Sequence, residues 1–177
     1  LPKIETMPPS PKSPYAINKL VGEHYCKLYY NLYNLPTICL RYFNVFGPNQ
    51  NPDSDYSAAI PKFITAYLNN TAPTIYGDGE QSRDFTFIEN VIRANLNACK
   101  TTEQSFGKVF NIGCGSQITL NNLIKIIQEK TNSTIEPNYT NERAGDVKHS
   151  LASIEESTTH LNIKDFISLE NGLEKTI

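Results

Sequence analysis

"PTICLRYFNVFGPNQ", Pro36 to Gln50, carries a run rich in apolar, β-branched and aromatic side chains, Thr37 to Phe43, between a proline and a segment of Asn, Gly and Pro. A run of this length bounded by turn residues predicts a buried strand, with a loop leaving its carboxyl end at Asn44. In an open α/β sheet, ligands gather at the carboxyl ends of the strands. The stretch therefore predicts both a sheet and the edge of it where function sits.

Upstream of Pro36 the pattern is helical. Ile17, Leu20, Val21, His24, Leu28 and Leu32 recur at steps of three and four; Ser13 stands where a cap is needed, and Pro14 suits the first turn. Pro36 is expected to end the helix, and the apolar face to pack against a core with His24 in it. Tyr15 and Lys19 fall on another face, four residues apart, so their side chains can reach one small volume.

Downstream, "NVFGPNQNPDSDY" gives way to a helical pattern over Ser57 to Asn70, a short strand at Thr74 to Tyr76 and a turn at "GDGEQS". A strand at Asp84 to Phe87 and a helix from Ile88 to Lys100 come next, then the strand "KVFNIG" and a helix opening at Thr119. "TIEPNYT" is strand-like, "NERAGDVKHS" is a polar loop, and short amphipathic helices lie near Ile154 and Leu169. The alternation predicts an α/β fold. The sequence holds no internal repeat, no low-complexity tract and no Gly-rich phosphate loop after a first strand.

The composition is that of a soluble globular protein: 177 residues, 39% apolar and 19% charged, with a formal net charge of −2. Its charges are mixed without a long basic run, so neither nucleic acid nor a membrane surface is an expected partner. Cys26, Cys39, Cys99 and Cys114 form no C-x-x-C pair and have no histidine at metal-ligand spacing. They are expected as reduced thiols packed in a cytosolic interior, with no metal. There is no apolar run of membrane-span length and no signal-peptide pattern, which makes the cytoplasm the expected compartment. The Pro-rich opening "LPKIETMPPSPKSP" leads straight into a helix and is expected to continue from a longer chain, whose amino-terminal half precedes it.

Three features carry chemistry. A tyrosine ionises near pH ~10, so a phenol acting as a base near neutrality needs its anion favoured by on the order of 4 kcal/mol, and a nearby ammonium pushes that way. The Tyr15/Lys19 spacing alone also arises by chance in a chain with 10 tyrosines. Arg83 and Arg143 each lie in a polar, Gly-containing segment where a guanidinium fork can meet phosphate oxygens; a structural ion pair with Asp84 or Asp146 is the alternative. His149 and His160 show no partner pattern.

Taken in order, "SPYAINK", "LRYFNVFGPNQ", "AAIPKF", "GDGEQSRDF" and "ERAGDVKHS" resemble the motifs of the extended short-chain dehydrogenase/reductase family, within it the UDP-hexose and UDP-N-acetylhexosamine 4-epimerases. The resemblance covers nearly the whole chain. It implies the C-terminal part of an NAD(P)-binding Rossmann-type fold joined to a small α/β substrate-binding domain. Residues 1–43 would be the last part of the Rossmann-type domain; residues 44–177 would be mainly the UDP-sugar region, with some segments returning to the Rossmann-type sheet.

The same resemblance implies NAD as cofactor, with Tyr15 as the base at the sugar's C4 hydroxyl, Lys19 bonding the nicotinamide ribose and Tyr42 lining the nicotinamide site. Tyr42 as a core strand residue is the alternative. For the UDP-sugar it implies Arg83 and Arg143 on the pyrophosphate and the backbone N–H of Ala59 at a helix start. Asp146 would meet the uridine ribose, or pair with Arg143; Tyr76 would lie beside the uracil, or pack in the core. Asn44 would bond the sugar nucleotide, or serve as a turn former. Ser150 would sit beside the sugar's C2 substituent, small enough to admit an N-acetyl group, or be an exposed loop serine.

UDP-N-acetylglucosamine/UDP-N-acetylgalactosamine is thus the expected substrate pair, with UDP-glucose/UDP-galactose beside it. A nucleotide-sugar 4,6-dehydratase, a UDP-glucuronate decarboxylase and a non-catalytic UDP-sugar-binding module are the other readings. The Gly-rich NAD loop, the acidic residue for the adenosine ribose and the Ser or Thr at the C4 oxygen are expected in an amino-terminal half, so this chain is expected to be incomplete and inactive alone. The helix bearing Tyr15 is further expected to meet a homodimer partner.

Overall fold

The computed structural model describes residues 1–53, 59–143 and 147–177. Its elements are α1 (Pro14–Tyr33), β1 (Cys39–Tyr42), β2 (Val45–Phe46), α2 (Ala59–Leu68), β3 (Thr74–Tyr76), β4 (Ser82–Arg83), β5 (Thr86–Phe87) and α3 (Ile88–Ala98). A 3-10 turn (Glu103–Ser105) follows, then β6 (Val109–Ile112), β7 (Ile118–Thr119), α4 (Leu120–Thr131), β8 (Asn138–Thr140), α5 (Glu155–Leu161) and α6 (Leu169–Thr176).

The strands pair two by two. β1 runs parallel to β6, from Cys39 opposite Val109 to Tyr42 opposite Ile112, so the carboxyl ends of both strands lie together. β2 and β5, and likewise β3 and β8, are parallel pairs, while β4 and β7 are antiparallel. Parallel partners need long crossovers, and here the intervening helices supply them.

Two apolar clusters hold this arrangement. In the larger, Ile60, Phe63, Ile64 and Tyr67 of α2 face Leu120, Leu123, Ile124 and Ile127 of α4, closed by Phe46, Ile75, Phe85, Phe87 and Leu173. In the smaller, Val91 and Ala94 of α3 pack on Phe110 and Ile112 of β6 with Leu161 and Ile163. Ile88 touches both clusters. Burying an aliphatic side chain fully stabilises by about 1.5–3 kcal/mol, so the four core residues of α4 anchor it strongly.

α1 departs from expectation. It starts as predicted, with Pro14 in the first turn and Ser13 Oγ accepting the Ala16 N–H at 3.1 Å. It ends earlier than Pro36, because Asn34 takes a left-handed conformation (φ 51°) and its N–H caps Tyr30 O. None of its residues is buried. Ile17, Val21, Leu28 and Leu32 are exposed, and so is His24, which the periodicity had placed in a packed face.

What ties α1 to the body is mostly polar. Arg41 Nε and Nη2 donate to the two oxygens of Glu23, both at 2.7 Å, and Thr37 Oγ1 donates to Cys26 O at 2.8 Å. β1 is likewise only partly covered, and Tyr42 is exposed. The thiols are not the packed interior groups expected: Cys99 is exposed and the other three are half-buried. Among the described residues, no helix is long and apolar enough to cross a membrane.

Candidate active site

The site is built around β4. The preceding turn passes through Gly79 in the left-handed region (φ +77°), where a side chain would strike Asn121. Gln81 Nε2 then reaches back to Tyr76 O at 2.6 Å, fixing the end of β3. Ser82 pairs with Thr119 of β7 on one side and with the 148–150 segment on the other: Ser82 N–H donates to Lys148 O at 2.9 Å, and Ser150 N–H donates to Ser82 O at 3.0 Å. Two-residue strands of this kind carry no readable period, and the sequence had shown only a turn here.

Asp84 follows and is fully buried. Its carboxylate accepts the N–H groups of Cys114 (2.8 Å), Gly115 (3.1 Å) and Ala152 (3.1 Å). Burial pushes its pKa above the usual carboxylate value, outweighing those three donors, which pull it down. Gly113 is required beside it, since a Cβ there would lie 2.7 Å from Asp84 Oδ2. Asp84 is therefore a fastener between the β5 approach, the loop after β6 and the 149–152 segment. Asn44, leaving β1, donates from Nδ2 to Asp84 O at 3.1 Å.

Asn44, Ala59, Tyr76, Arg83 and Arg143 meet at one cavity of about 530 Å³. The Arg143 guanidinium lies over the Tyr76 ring, 3.8 Å from its centroid. Its hydrogen bond and its charge lower the Tyr76 phenol below the usual value. Arg83 Nη1 donates to Ser82 O at 3.0 Å and to Lys148 O at 3.1 Å. The Asp84 carboxylate is held by backbone amides instead of pairing with Arg83. Lys62, Gln81 and Phe85 also line the cavity and were not singled out in the sequence. Lys62 stands one turn along α2 from Ala59. Among the described lining residues the charged groups are Lys62, Arg83 and Arg143, all cationic.

The remaining positions lie elsewhere. Lys19 Nζ sits 5.4 Å from the centroid of the Tyr15 ring, so the pair does share a face, and Tyr15 is exposed. Tyr42 is not a core residue: its hydroxyl donates to Asn95 Oδ1 at 3.0 Å. Tyr15, Lys19, Tyr42 and Ser150 do not line the cavity; Ser150 is half-buried and strapped to Ser82. Asp146 falls outside the described residues. Both remaining histidines have partners that the sequence did not show: His149 Nδ1 lies 2.8 Å from Ser82 Oγ, and His160 Nε2 lies 3.3 Å from Glu156 Oε2. Among the described residues no three metal-ligating side chains cluster.

Comparison with known proteins places this geometry in context. The structure of UDP-N-acetylglucosamine 4-epimerase from Methanobrevibacter ruminantium M1, in complex with UDP-N-acetylmuramic acid, is 42% identical with a TM-score of 0.94, over 99% of this chain and 56% of that one. UDP-glucose 4-epimerase from Thermotoga maritima, solved with UDP-glucose, is 37% identical with a TM-score of 0.94, over 99% of this chain and 55% of that one. The human dTDP-D-glucose 4,6-dehydratase is 31% identical over 182 residues, spanning 98% of this chain and 49% of that protein. The chain spans about half the length of the curated relatives it matches (52–56% of the first three). The α/β architecture is that of a Rossmann-type extended short-chain dehydrogenase/reductase. With residues 1–113 matching its profile, the chain belongs to the NAD-dependent epimerase/dehydratase family.

Proposed function

We propose that this chain carries the Tyr/Lys pair and most of the nucleotide-sugar pocket of an NAD-dependent UDP-sugar 4-epimerase. The observation that carries the reading is the convergence of Asn44, Ala59, Tyr76, Arg83 and Arg143 on one cavity of about 530 Å³. That volume is within the usual range for small-molecule sites, and its cationic lining suits a diphosphate. Arg83 and Arg143 hold the pyrophosphate, Tyr76 offers a ring face to the uracil, and the Ala59 N–H and Asn44 complete the contacts, with Asp146 assigned to the uridine ribose. Gripping the part of the substrate that does not react retains the sugar while it turns over.

Residues 1–43 belong in this reading to the end of the nucleotide-binding domain and residues 44–177 mainly to the sugar-nucleotide region. An exposed phenol beside an ammonium fits the nicotinamide-ribose end of NAD, and Tyr42 lies on the adjoining strand. When bound, NAD supplies reversible hydride acceptance. Tyr15 takes the proton of the C4 hydroxyl and returns it, while Lys19 bonds the ribose and favours the phenolate by its charge.

UDP-N-acetylglucosamine is the substrate proposed, in the cytoplasm: Ser150 does not line this cavity, and its place beside the C2 substituent rests on the family resemblance, in which a small residue there admits an N-acetyl group. The two tests are titration calorimetry of UDP against this chain and NMR of the products formed from UDP-N-acetylglucosamine with NAD by a chain that also carries the Gly-rich NAD loop. Binding of UDP with appearance of UDP-N-acetylgalactosamine supports the proposal. A 4-keto-6-deoxy sugar would instead favour the dehydratase reading, and failure to bind UDP would sink both.

A further inference from the structure

Ser82 stands at the centre of the strap that delivers Arg83 to the cavity. Its side chain is 4% exposed, and its Oγ lies 2.8 Å from His149 Nδ1 and 3.0 Å from Gln117 Oε1. A hydroxyl has one proton to give. If Ser82 gives it to Gln117 Oε1 and accepts from a protonated Nδ1 of His149, all three groups are satisfied. If it gives the proton to His149, two oxygens face each other with none between them. With Gln117 Oε1 turned toward Ser82 Oγ, the network is satisfied when His149 carries its proton on Nδ1.

The same strap aims Arg83. Nη1 of Arg83 is held by Ser82 O and Lys148 O, one carbonyl from each side of the pairing. Lys148 O also accepts the Ser82 N–H. Two of the groups that hold this guanidinium therefore come from different segments, and their grip on it changes with the spacing between those segments. Beside the backbone bonds that pair Ser82 with residues 148 and 150, the bond from His149 to Ser82 adds a side-chain contact across this spacing, and His149 is otherwise exposed to solvent.

We infer that His149 is a positioning residue for the phosphate-binding arm of the cavity, acting through Ser82 on Arg83. This rests on the UDP-sugar reading above. His149 need not touch the ligand; it acts through its hydrogen bond with Ser82.

The test is titration calorimetry of UDP against the 177-residue protein. His149→Ala weakens UDP binding about tenfold with an unchanged thermal midpoint, and His149→Asn, which keeps a donor, stays within about twofold of wild type. In an Arg83→Ala background, His149→Ala costs nothing further, because its effect passes through that arginine. If Arg83→Ala weakens binding but His149→Ala does not, or if the two losses add, the inference fails while the UDP reading stands. If wild type does not take up UDP, both fall together. Failure of His149→Asn to restore binding also overturns the inference, since size alone would then be at issue.

Discussion

Two helices of this chain carry comparable apolar spacing and meet opposite surroundings. α4 buries Leu120, Leu123, Ile124 and Ile127, whereas α1, with Ile17, Val21, Leu28 and Leu32, buries nothing. The spacing of apolar residues says which face of a helix wants cover; it does not say that the cover lies in the same chain. α4 is fixed by area removed from water, α1 by the Arg41–Glu23 fork, the Thr37–Cys26 hydrogen bond and the edge-on packing of Tyr30 on Phe106. The same division runs through the candidate chemistry: the arginines proposed to bind phosphate line a cavity beside the larger core, and the Tyr15/Lys19 pair stands on the uncovered helix.

The contrast can be broken first through catalysis. In a chain that also carries the Gly-rich NAD loop, Tyr15→Phe is expected to lower epimerase turnover by roughly 10²–10⁴-fold while leaving UDP affinity as it was. A parallel loss of UDP binding would show that the two regions do not act separately. Next comes Leu123→Ala, expected to cost about 2–5 kcal/mol in urea unfolding as a cavity opens between α2 and α4.

Arg143→Ala removes a charged donor from an exposed ring face. It should weaken UDP binding on the order of ten- to a hundredfold with little change in stability, and calorimetry beside a thermal melt reads both. Asp84 supplies a pH test. Its folded pKa is raised above the ordinary value of 3.8, so the folded state holds the proton more tightly than the unfolded one. Its contribution to stability is therefore fully present below that ordinary value and is lost as pH rises through the higher, folded one. Unfolding curves compared with Asp84→Asn should lose this slope; a slope of the opposite sign would mean that the three amide donors outweigh burial. Smallest of all is Leu28→Ala on α1, within about 0.5 kcal/mol, and a loss as large as that of Leu123→Ala would erase the contrast.

Much of this was legible in advance where the signal is local. Ser13 and Thr119 cap their helices through their side chains, and Pro14 takes the first turn, because caps depend on one residue and its near neighbours. The strand read over Thr37 to Phe43 forms, shorter, as β1, and the parallel α/β order follows the alternation of segments. Pairing across the chain was not legible. β4 and β7 have two residues each and exist because Ser82 and Thr119 find each other, and Asp84, read as part of a strand, turns out of it to meet amides 30 and 68 residues away. In the site, arginines and an aromatic residue announced themselves by type. Lys62 did not, since one lysine on an amphipathic helix looks like any other, and neither did His149, whose partner is remote in sequence.

The Asp84 fastener has a kinetic consequence. Its three bonds reach two stretches of chain, the loop after β6 and the segment that ends the 147–152 strap, through one carboxylate. Opening that carboxylate frees all three amides at once. In amide hydrogen exchange, Cys114, Gly115 and Ala152 should therefore exchange together, at one rate, well behind the solvent-facing turns beside them. The residue that touches no ligand in this reading would thereby set how often the walls of the site come apart.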